Sequence, residues 1–426
     1  MTIPAQASTL LSYSQVRRAS VLALLCALML IDVPFAIAQT FTVLHEFTNL
    51  GDGGNPEAGL TLDRSGNLYG TTSPFDSSPG TVFKLSHKNA GWTLTTLHSF
   101  TGGADGSHPP ARVVFGPDGK LYGTTAYDGA SGGGTVFSLA PPPTVCRSFL
   151  CPWTLNVLHA FDLADGYIPG GGDLIFDRAG NLYGTTTQGG RFTQEYCEEF
   201  GCGVAYQLSP SNGGWSQTML YQFSTGSIAT PFGGVIMDSS GDLYGTAEAG
   251  GLNWGGIYQL TPGDGSWSQT VIYQFMGQDD GCAARAGLLA DGAGNFFGAT
   301  EACGSGNGGT VFELSQVGGN WVYNVIYSFT RNFGPVASLT VDAAGNLYGT
   351  AVGDGAYGLG SIFKLTPSNG SWTYTSLHDF TGGVDGSTPF SNVIFDAGGN
   401  LYGTASEGGT GLACDHGCGV VWEITP

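Results

Sequence analysis

The apolar residues of this chain recur in short, strand-length runs that are bounded by Gly, Pro, Asn and Asp. Four runs follow one another in a fixed order: a mostly apolar run A, a Leu-Tyr-Gly-Thr run B, a Val-Phe-x-Leu run C, and a run D that starts with Trp and ends with Phe. In the first full copy they occupy 59–62, 68–71, 82–85 and 92–100. Val, Ile, Tyr, Phe and Thr are typical of strands, and residues 39–426 show no sustained helical period. The pattern therefore predicts an all-β chain.

Run B sets the period of the repeat. Its first residue recurs seven times at intervals of 51 to 61 residues, at Leu68, Leu121, Leu182, Leu243, Phe296, Leu347 and Leu401. Four antiparallel strands in a unit of about 50 residues are typical of a propeller blade. We therefore predict a seven-bladed β-propeller with four antiparallel strands per blade, in which the blades span approximately 57–100, 110–161, 170–223, 232–275, 284–329, 335–380, and 389–426 together with 40–47.

The phase of the repeat predicts how the ring closes. A lone D run occupies 41–47 near the start, whereas the last copy stops at a C run, 421–424, with no D run after it. We expect 41–47 to pair beside 419–424 and so complete the last blade. Closure of this kind removes the free sheet edges that favour aggregation.

Two positions of the repeat have a clear physical reading. The turn between runs A and B reads Asp-x-x-Gly-Asn, where the Gly allows positive φ and the Asp is expected to cap the turn; Gly116 replaces that Asp in the second copy. The Trp that opens run D is interpreted as packing between blades, with an exposed sugar platform as the alternative.

Residues 1–38 resemble a secretory signal peptide. Arg17 and Arg18 precede an apolar core at 19–31, and a small-x-small site occupies 36–38. This predicts that 39–426 is a single domain that is secreted, periplasmic or displayed on the cell surface.

The charge of the chain limits its partners. The formal net charge is −20, and removal of 1–38 leaves 11 basic and 32 acidic residues, for a net charge of −21. Such a surface disfavours nucleic acid and anionic membranes. An extracellular protein or a polysaccharide is the expected partner, with no membrane insertion after the signal is removed, and the chain is expected to be a monomer.

The cysteine count favours disulfides, because residues 39–426 contain eight cysteines and exported proteins usually oxidise them. Pairing of near neighbours in sequence predicts Cys146–Cys151, Cys197–Cys202, Cys282–Cys303 and Cys414–Cys418.

The variable loops indicate where a ligand would bind. The A–B turns are short and uniform, whereas the B–C loops vary most in length and content, and binding residues usually lie on variable loops. We therefore expect the ligand on the face that carries the D–A and B–C loops. The candidate residues there are Glu195, Glu199, Glu248, Glu301, Glu407, Asp415 and His416.

An Asp-Gly pair recurs in five D–A loops. One interpretation is a ring of carboxylates that holds Ca²⁺ through hard oxygen ligands. The other is turn chemistry ahead of the following Pro. No other cofactor is indicated. The aspartates are Asp52, Asp105, Asp165, Asp280 and Asp385.

The repeat as a whole resembles a known family. The run Asp-x-x-Gly-Asn-Leu-Tyr-Gly-Thr-Thr, then Gly-Gly-Thr-Val-Phe-x-Leu, then Leu-His-x-Phe-Thr-Gly-Gly-x-Asp-Gly-x-x-Pro is similar to the GloVer tandem repeat of exported "choice-of-anchor" bacterial proteins, with close matches at 95–109 and 375–389. The layout is also similar to NHL and kelch propellers. The resemblance implies an exported protein of uncharacterised role and supplies no catalytic residues.

Three functional hypotheses remain open at this point. The first is a binding or scaffold module with its ligand on the D–A/B–C face. The second is an extracellular carbohydrate-active enzyme that uses loop carboxylates as acid and base. The third is a structural protein of the envelope or matrix. The sequence shows no catalytic motif that would assign a reaction.

Overall fold

A computed structural model describes residues 39–74, 78–88, 91–143, 152–190, 197, 200–224, 226–250, 254–331 and 333–426. Phe41–Thr425 form one compact unit, and the predicted signal peptide lies outside the described residues. The described residues form strands and no α-helix, so no helix long and apolar enough to cross a membrane is found among them.

The strands follow the predicted repeat of four per blade. In chain order they are β1 Thr40–Glu46; β2 Thr61–Leu62, β3 Leu68–Thr72, β4 Thr81–Lys88, β5 Gly91–Ser99; β6 Val114–Phe115, β7 Leu121–Thr125, β8 Thr135–Ala140, β9 Thr154–Ala160; β10 Tyr167–Pro169, β11 Ile175–Phe176, β12 Leu182–Gln188, β13 Val204–Ser211, β14 Gly214–Gln222; β15 Ile228–Ala229, β16 Val235–Met237, β17 Leu243–Ala247, β18 Ala249–Gly250, β19 Gly256–Pro262, β20 Trp267–Gln274; β21 Leu289–Ala290, β22 Phe296–Thr300, β23 Thr310–Val317, β24 Asn320–Ser328; β25 Thr340–Val341, β26 Leu347–Ala351, β27 Ser361–Ser368, β28 Ser371–Asp379; and β29 Ile394–Phe395, β30 Leu401–Ala405, β31 Val420–Thr425.

These strands form seven antiparallel blades, which confirms the predicted seven-bladed propeller. The order in the first blade is β2-β3-β4-β5, and the same A-B-C-D order recurs around the ring. The short A strands line the central channel, and the D strands are outermost. The third blade gains β10 beside β12, and a small ribbon of β15 and β18 accompanies the fourth.

The N-terminal strand closes the ring as predicted. The last blade has the order β1-β31-β30-β29, so β1 supplies its outer strand. The Phe47 amide donates to the Gly419 carbonyl at 3.0 Å. The Phe41 ring stacks on His378 of the sixth blade with centroids 3.7 Å apart. The first and last segments of the propeller are therefore neighbours, joined by the same ladder as the other blades.

Each position of the Leu-Tyr-Gly-Thr-Thr motif has a packing role. A methyl group on Gly70 would lie 2.5 Å from the Phe83 ring, so only Gly fits beneath that ring. Thr71 donates to the Ala111 carbonyl of the next blade at 3.2 Å. The Thr72 hydroxyl lies 2.8 Å from that of Thr81 on strand C. The motif thus fixes both the blade interior and its junction with the next blade.

The Asp of the A–B turn caps that turn, as expected. Asp63 accepts hydrogen bonds from the amides of Ser65 and Asn67 at 2.8 and 2.9 Å, and from the Tyr69 hydroxyl at 3.1 Å. In the second copy Asp118 takes over the role and accepts from the Tyr122 hydroxyl at 3.0 Å. The substitution of Gly for Asp at 116 therefore shifts the cap by two residues without removing it.

The run-D Trp rings pack between blades, which settles the alternatives left by the sequence. Trp92 of the first blade meets the Tyr402 ring of the seventh, and Trp153 meets Tyr69 of the preceding blade, both with centroids 6.2 Å apart. All six rings are partly buried: Trp92, Trp153, Trp215, Trp267, Trp321 and Trp372. They therefore stabilise blade junctions.

Three predicted disulfides are present, Cys197–Cys202, Cys282–Cys303 and Cys414–Cys418. Cys146 and Cys151 lie outside the described residues. The Cys282–Cys303 bond joins a D–A loop to a B–C loop. The corresponding positions of the second blade are held by a hydrogen bond from Ser107 to Asp128, so the covalent link replaces a polar one.

Candidate functional site

The D–A and B–C loops lie on one face of the propeller. Isolated β-bridges join the two loops within single blades, as between Ser107 and Tyr127, Cys282 and Ala302, and Ser387 and Glu407. This is the D–A/B–C face on which the sequence predicted a ligand.

Two backbone hydrogen bonds position the start of each channel-lining segment, and in six blades they are made by a left-handed residue. In the second blade His108 has φ 52°; its amide donates to the Pro79 carbonyl of the first blade, and its carbonyl accepts from the Ala126 amide of its own blade. Such a φ is uncommon for residues other than Gly. In the sixth blade Gly334 makes the equivalent two bonds, to the Glu301 carbonyl and from the Val352 amide, and the left-handed residue is Phe333, one position earlier. In the other six blades the left-handed residue stands at the clip position itself, at Asn55, His108, Ile168, Thr230, Ala283 and Thr388. These clips fix the residues that follow them around the channel entrance.

We define the channel mouth as the cavity that these following residues line on the D–A/B–C face. It encloses about 280 Å³ and takes residues from all seven blades. Its polar and aromatic lining residues are Glu57, Arg112, Asp173, Phe232, Arg285, Ser338, Phe390 and Asn392. Below it the channel is lined mainly by apolar A-strand residues.

Arg112 and Asp173 form an ion pair across neighbouring blades. The Arg112 Nε donates to the Asp173 Oδ2 at 2.7 Å, and both side chains are about 30% exposed. The pairing neutralises one cation of the mouth while leaving the remaining guanidinium N–H groups without a hydrogen bond to a described residue.

Arg285 forms ion pairs with two of the predicted site carboxylates, Glu248 and Glu301. Its Nη2 donates to Glu248 at 2.7 Å, and its Nε lies 3.1 Å from a Glu301 carboxylate oxygen. Burial raises the pKa of Glu301; Arg285 opposes that rise, and Glu248 adds to it. The guanidinium carbon also lies 5.5 Å from the centroid of the Phe232 ring. Glu248 and Glu301 therefore do meet, but through a shared cation rather than across a gap suited to acid–base chemistry.

Glu57 is the acid of the mouth without a partner. Its partly buried carboxyl makes no hydrogen bond or ion pair to any residue that the structure describes. Burial raises its pKa to about 7. A partly buried carboxyl without a protein partner is free to bond a ligand, and ligand sites hold a few such polar groups, so Glu57 marks a candidate ligand position.

Asn392 and Phe390 of the seventh blade line the same cavity as Glu57. The Asn392 amide lies over Gly59, where a methyl group would be 1.6 Å from its Oδ1, and it makes no hydrogen bond within the described part of the chain. The Phe390 ring is partly buried and has no described ring partner. Two free polar groups and one free ring thus meet where the first and last blades join.

Three further predicted residues lie apart from the mouth. Glu407, Asp415 and His416 line an open depression of about 580 Å³ on the seventh blade. Glu407 accepts a hydrogen bond from the Thr388 hydroxyl at 2.8 Å. Glu195 and Glu199 lie outside the described residues. Of the predicted set, Glu248 and Glu301 therefore contact a mouth residue, Arg285, whereas Glu407, Asp415 and His416 line a separate depression.

The five Asp-Gly aspartates serve their own turns. Asp52 accepts from the Thr48 amide at 3.0 Å, and His45 Nε2 lies 3.3 Å from its carboxylate. The carboxylates of Asp105, Asp165, Asp280 and Asp385 make equivalent contacts within their own loops. Among the described residues no group of three or more His, Cys, Asp and Glu side chains is placed to hold a metal ion. The contacts fit turn chemistry, and the Ca²⁺ hypothesis stays a prediction.

The residues that line the mouth were not among those predicted from the sequence. Glu57, Arg112, Asp173 and Asn392 occupy positions one or three residues before the recurrent apolar residue that opens run A. From blade to blade these two positions change between acid, base, amide, aromatic ring and Gly, while the neighbouring positions stay uniform. In a repeat whose other positions are uniform, two positions that vary in chemistry from copy to copy could have indicated the binding residues.

The comparisons with known proteins agree with this architecture. The family model described as the Gloeobacter/Verrucomicrobia repeat matches residues 34–197 and 192–421. No curated protein matches the chain.

Several solved structures are similar to the chain at low identity. The extracellular domain of a provisional one-component system from B. thetaiotaomicron is 10% identical, with a TM-score of 0.54 over 90% of this chain and 40% of that one. A protein provisionally described as a 6-phosphogluconolactonase from Bacteroides uniformis is 14% identical, with a TM-score of 0.48 over 76% and 84% of the two chains. A protein from Thermus thermophilus, provisionally described as an oxidoreductase (glucose dehydrogenase), is 14% identical, with a TM-score of 0.44 over 91% and 100%. At these identities the likeness concerns the fold alone.

Proposed function

We propose that this chain, which belongs to the Gloeobacter/Verrucomicrobia repeat family, is an exported binding protein that holds the end of an extracellular polysaccharide in its channel mouth. The observation that carries the proposal is the unpartnered carboxyl of Glu57 inside a concave site lined by planar polar groups and aromatic rings. Ligand sites are typically concave and largely apolar, with a few convergent polar groups.

The surroundings of the site support export of the protein and a binding site that is already rigid before the ligand arrives. Three disulfides lie in loops of the D–A/B–C face and fit an oxidising compartment. Each segment that lines the mouth is bonded through a backbone amide to the preceding blade, and in six blades the bonded residue is left-handed. A preformed site loses less conformational entropy when its ligand binds.

The test is a glycan array followed by calorimetry on the purified protein, with an arginine pair as matched variants. Arg112→Ala changes the mouth, whereas Arg178→Ala changes an exposed arginine in an A–B turn on the other face. We expect Arg112→Ala to weaken polysaccharide binding at least tenfold and Arg178→Ala to leave it unchanged. Equal affinities for both variants, or no binding to any glycan, would refute the proposal.

A carbohydrate-active enzyme is the second candidate, and one observation favours it. A Glu whose pKa is raised to about 7 by burial is suited to general acid–base chemistry at neutral pH. The second carboxylate of the mouth lining, Asp173, is engaged by Arg112. Hydrolysis of the bound glycan that is abolished by Glu57→Gln while binding persists would establish this function in place of simple binding.

A further inference from the structure

The charges of the channel mouth restrict the chemistry of its ligand. Both arginines already face carboxylates: Arg112 faces Asp173, and Arg285 faces Glu248 and Glu301. An incoming carboxylate, sulfate or phosphate would meet cations that neighbouring carboxylates already neutralise, and would add a further negative charge beside those carboxylates. An anionic sugar therefore fits this lining poorly.

A cationic ligand fits poorly for a related reason. Arg112 and Arg285 place two guanidinium groups on the wall of the same cavity of about 280 Å³, opposite a single unpaired carboxyl. Burial favours the neutral form of that carboxyl, because it raises the pKa of Glu57 to about 7. An ammonium group in the mouth would therefore find in Glu57 a partner that is not fully ionised at neutral pH.

The unpartnered groups fit a hydroxylated ring. The Glu57 carboxyl and the Asn392 amide both donate and accept hydrogen bonds, as vicinal hydroxyls require. The Phe390 ring offers an apolar face for the C–H groups of a sugar. These three groups come from the two segments that meet at the ring closure, where Asn392 lies over Gly59 and Thr404 donates to the Ala58 carbonyl at 3.1 Å.

We propose that the channel mouth binds one neutral, hexose-sized sugar ring at the junction of the first and seventh blades, with Glu57 and Asn392 bonded to its hydroxyls and Phe390 against its C–H face. This inference rests on the proposed function and names the class of its ligand. Because the sugar ring contacts both the first and the seventh blade, sugar binding is also expected to stabilise the junction at which the propeller closes.

The experiment is a calorimetric titration of the purified protein at pH 7 with three methyl hexosides that differ in charge: neutral, uronate and amino. The neutral hexoside is expected to bind at least tenfold more tightly than either charged one. Glu57→Gln keeps a planar donor and acceptor and is expected to retain affinity within about threefold. Glu57→Ala and Asn392→Ala are each expected to lose at least about fivefold. Circular dichroism and melting temperature report whether each variant remains folded.

A second measurement reports on the stability of the junction between the first and last blades. Hydrogen exchange of the Phe47 and Asn55 amides, which bond the Gly419 and Cys418 carbonyls, is expected to slow when the neutral hexoside is bound. Exchange of the Phe275 amide, which bonds Gly255 in the fourth blade, serves as the control and should not change.

Each alternative outcome is distinguishable. Preference for the amino sugar that is lost in Glu57→Gln would make this a cation site. Preference for the uronate that is lost in Arg112→Ala would make it an anion site. Polysaccharide binding that depends on Arg112, with none of the three hexosides bound, would overturn this inference and leave the proposed function standing. Absence of all glycan binding would overturn both.

Discussion

The Asn392 amide of the seventh blade lies over the Cα of Gly59 in the first, so that a methyl group at position 59 would be 1.6 Å from the Asn392 Oδ1. Gly59 has no left-handed φ. Its small size, rather than its backbone freedom, is therefore what the position requires. The contact couples the shape of the proposed site to the closure of the ring.

Gly59→Ala is therefore expected to displace Asn392 and weaken glycan binding about as much as Asn392→Ala does, with a stability cost of roughly 1–3 kcal/mol from overpacking. Gly91→Ala is the matched control, because a methyl group there meets no atom within 4 Å. Calorimetry and urea denaturation measure both effects. Unchanged affinity in Gly59→Ala would show that Asn392 does not hold the ligand.

The inter-blade threonines offer a matched pair of substitutions. Thr350 donates to the Ser391 carbonyl of the next blade at 2.7 Å, whereas the hydroxyl of Thr124, at the same repeat position, is buried without a hydrogen-bond partner. Thr350→Val is expected to cost about 1–3 kcal/mol, because it leaves a buried carbonyl unsatisfied. Thr124→Val is expected to be neutral or stabilising. Urea denaturation measures both, and an equal cost for the two variants would refute this assignment.

Ring closure depends on Phe47. Its side chain is fully buried and packs against the Phe83 ring with centroids 5.2 Å apart. Phe47→Ala is expected to cost about 3–5 kcal/mol, a range typical of buried Phe truncation. Leu50→Ala, in the same loop but 83% exposed, should cost little. Deletion of residues 39–47 should lower the melting temperature further still, and an unchanged melting temperature would argue against closure by β1.

Much of this architecture was predictable from the sequence because it depends on local, repeated chemistry. The Asp63 cap and the closure by 41–47 follow from spacing and strand count alone. The channel mouth was not predictable, because Glu57 and Asn392 are 335 positions apart in sequence and meet only when the ring closes. The pairing of Glu248 with Glu301 through Arg285 was missed for the same reason: spacing does not reveal which cation lies between two loops.

The disulfides are expected to differ in their contribution to stability. Cys282–Cys303 spans 21 residues and Cys414–Cys418 spans 4. Loop-closure entropy predicts contributions of about 3 and about 2 kcal/mol. Paired Cys→Ser variants compared by chemical denaturation test this order. A larger loss of stability on removal of Cys414–Cys418 would indicate that this disulfide stabilises the junction of the first and last blades by means other than loop-closure entropy.

The turn aspartates predict a loss of stability in acid. Burial alone would raise the pKa of Asp63, but hydrogen bonds from Asn67, Ser65 and Tyr69 lower it overall. A carboxylate with a lowered pKa stabilises the fold above its unfolded pKa of about 4, and that stability is lost as pH falls through the folded pKa. The Asp177, Asp342 and Asp396 carboxylates have lowered pKa values as well.

Stability is therefore expected to fall below about pH 4. Asp63→Asn keeps an acceptor oxygen but does not titrate. It should therefore make the free energy of unfolding less dependent on pH below about 4 and reduce that free energy at pH 7. Denaturation measured between pH 2 and 7 is the test. An identical pH dependence in the variant would contradict the assigned role of Asp63.

The central claim is that the junction of the first and last blades forms the ligand site. The most direct measurement is a crystal structure of the protein soaked with the neutral methyl hexoside. We predict electron density for one sugar ring in the channel mouth, within hydrogen-bond distance of Glu57 and Asn392. Density confined to the separate depression near Glu407, or to the A–B turn face, would contradict the account.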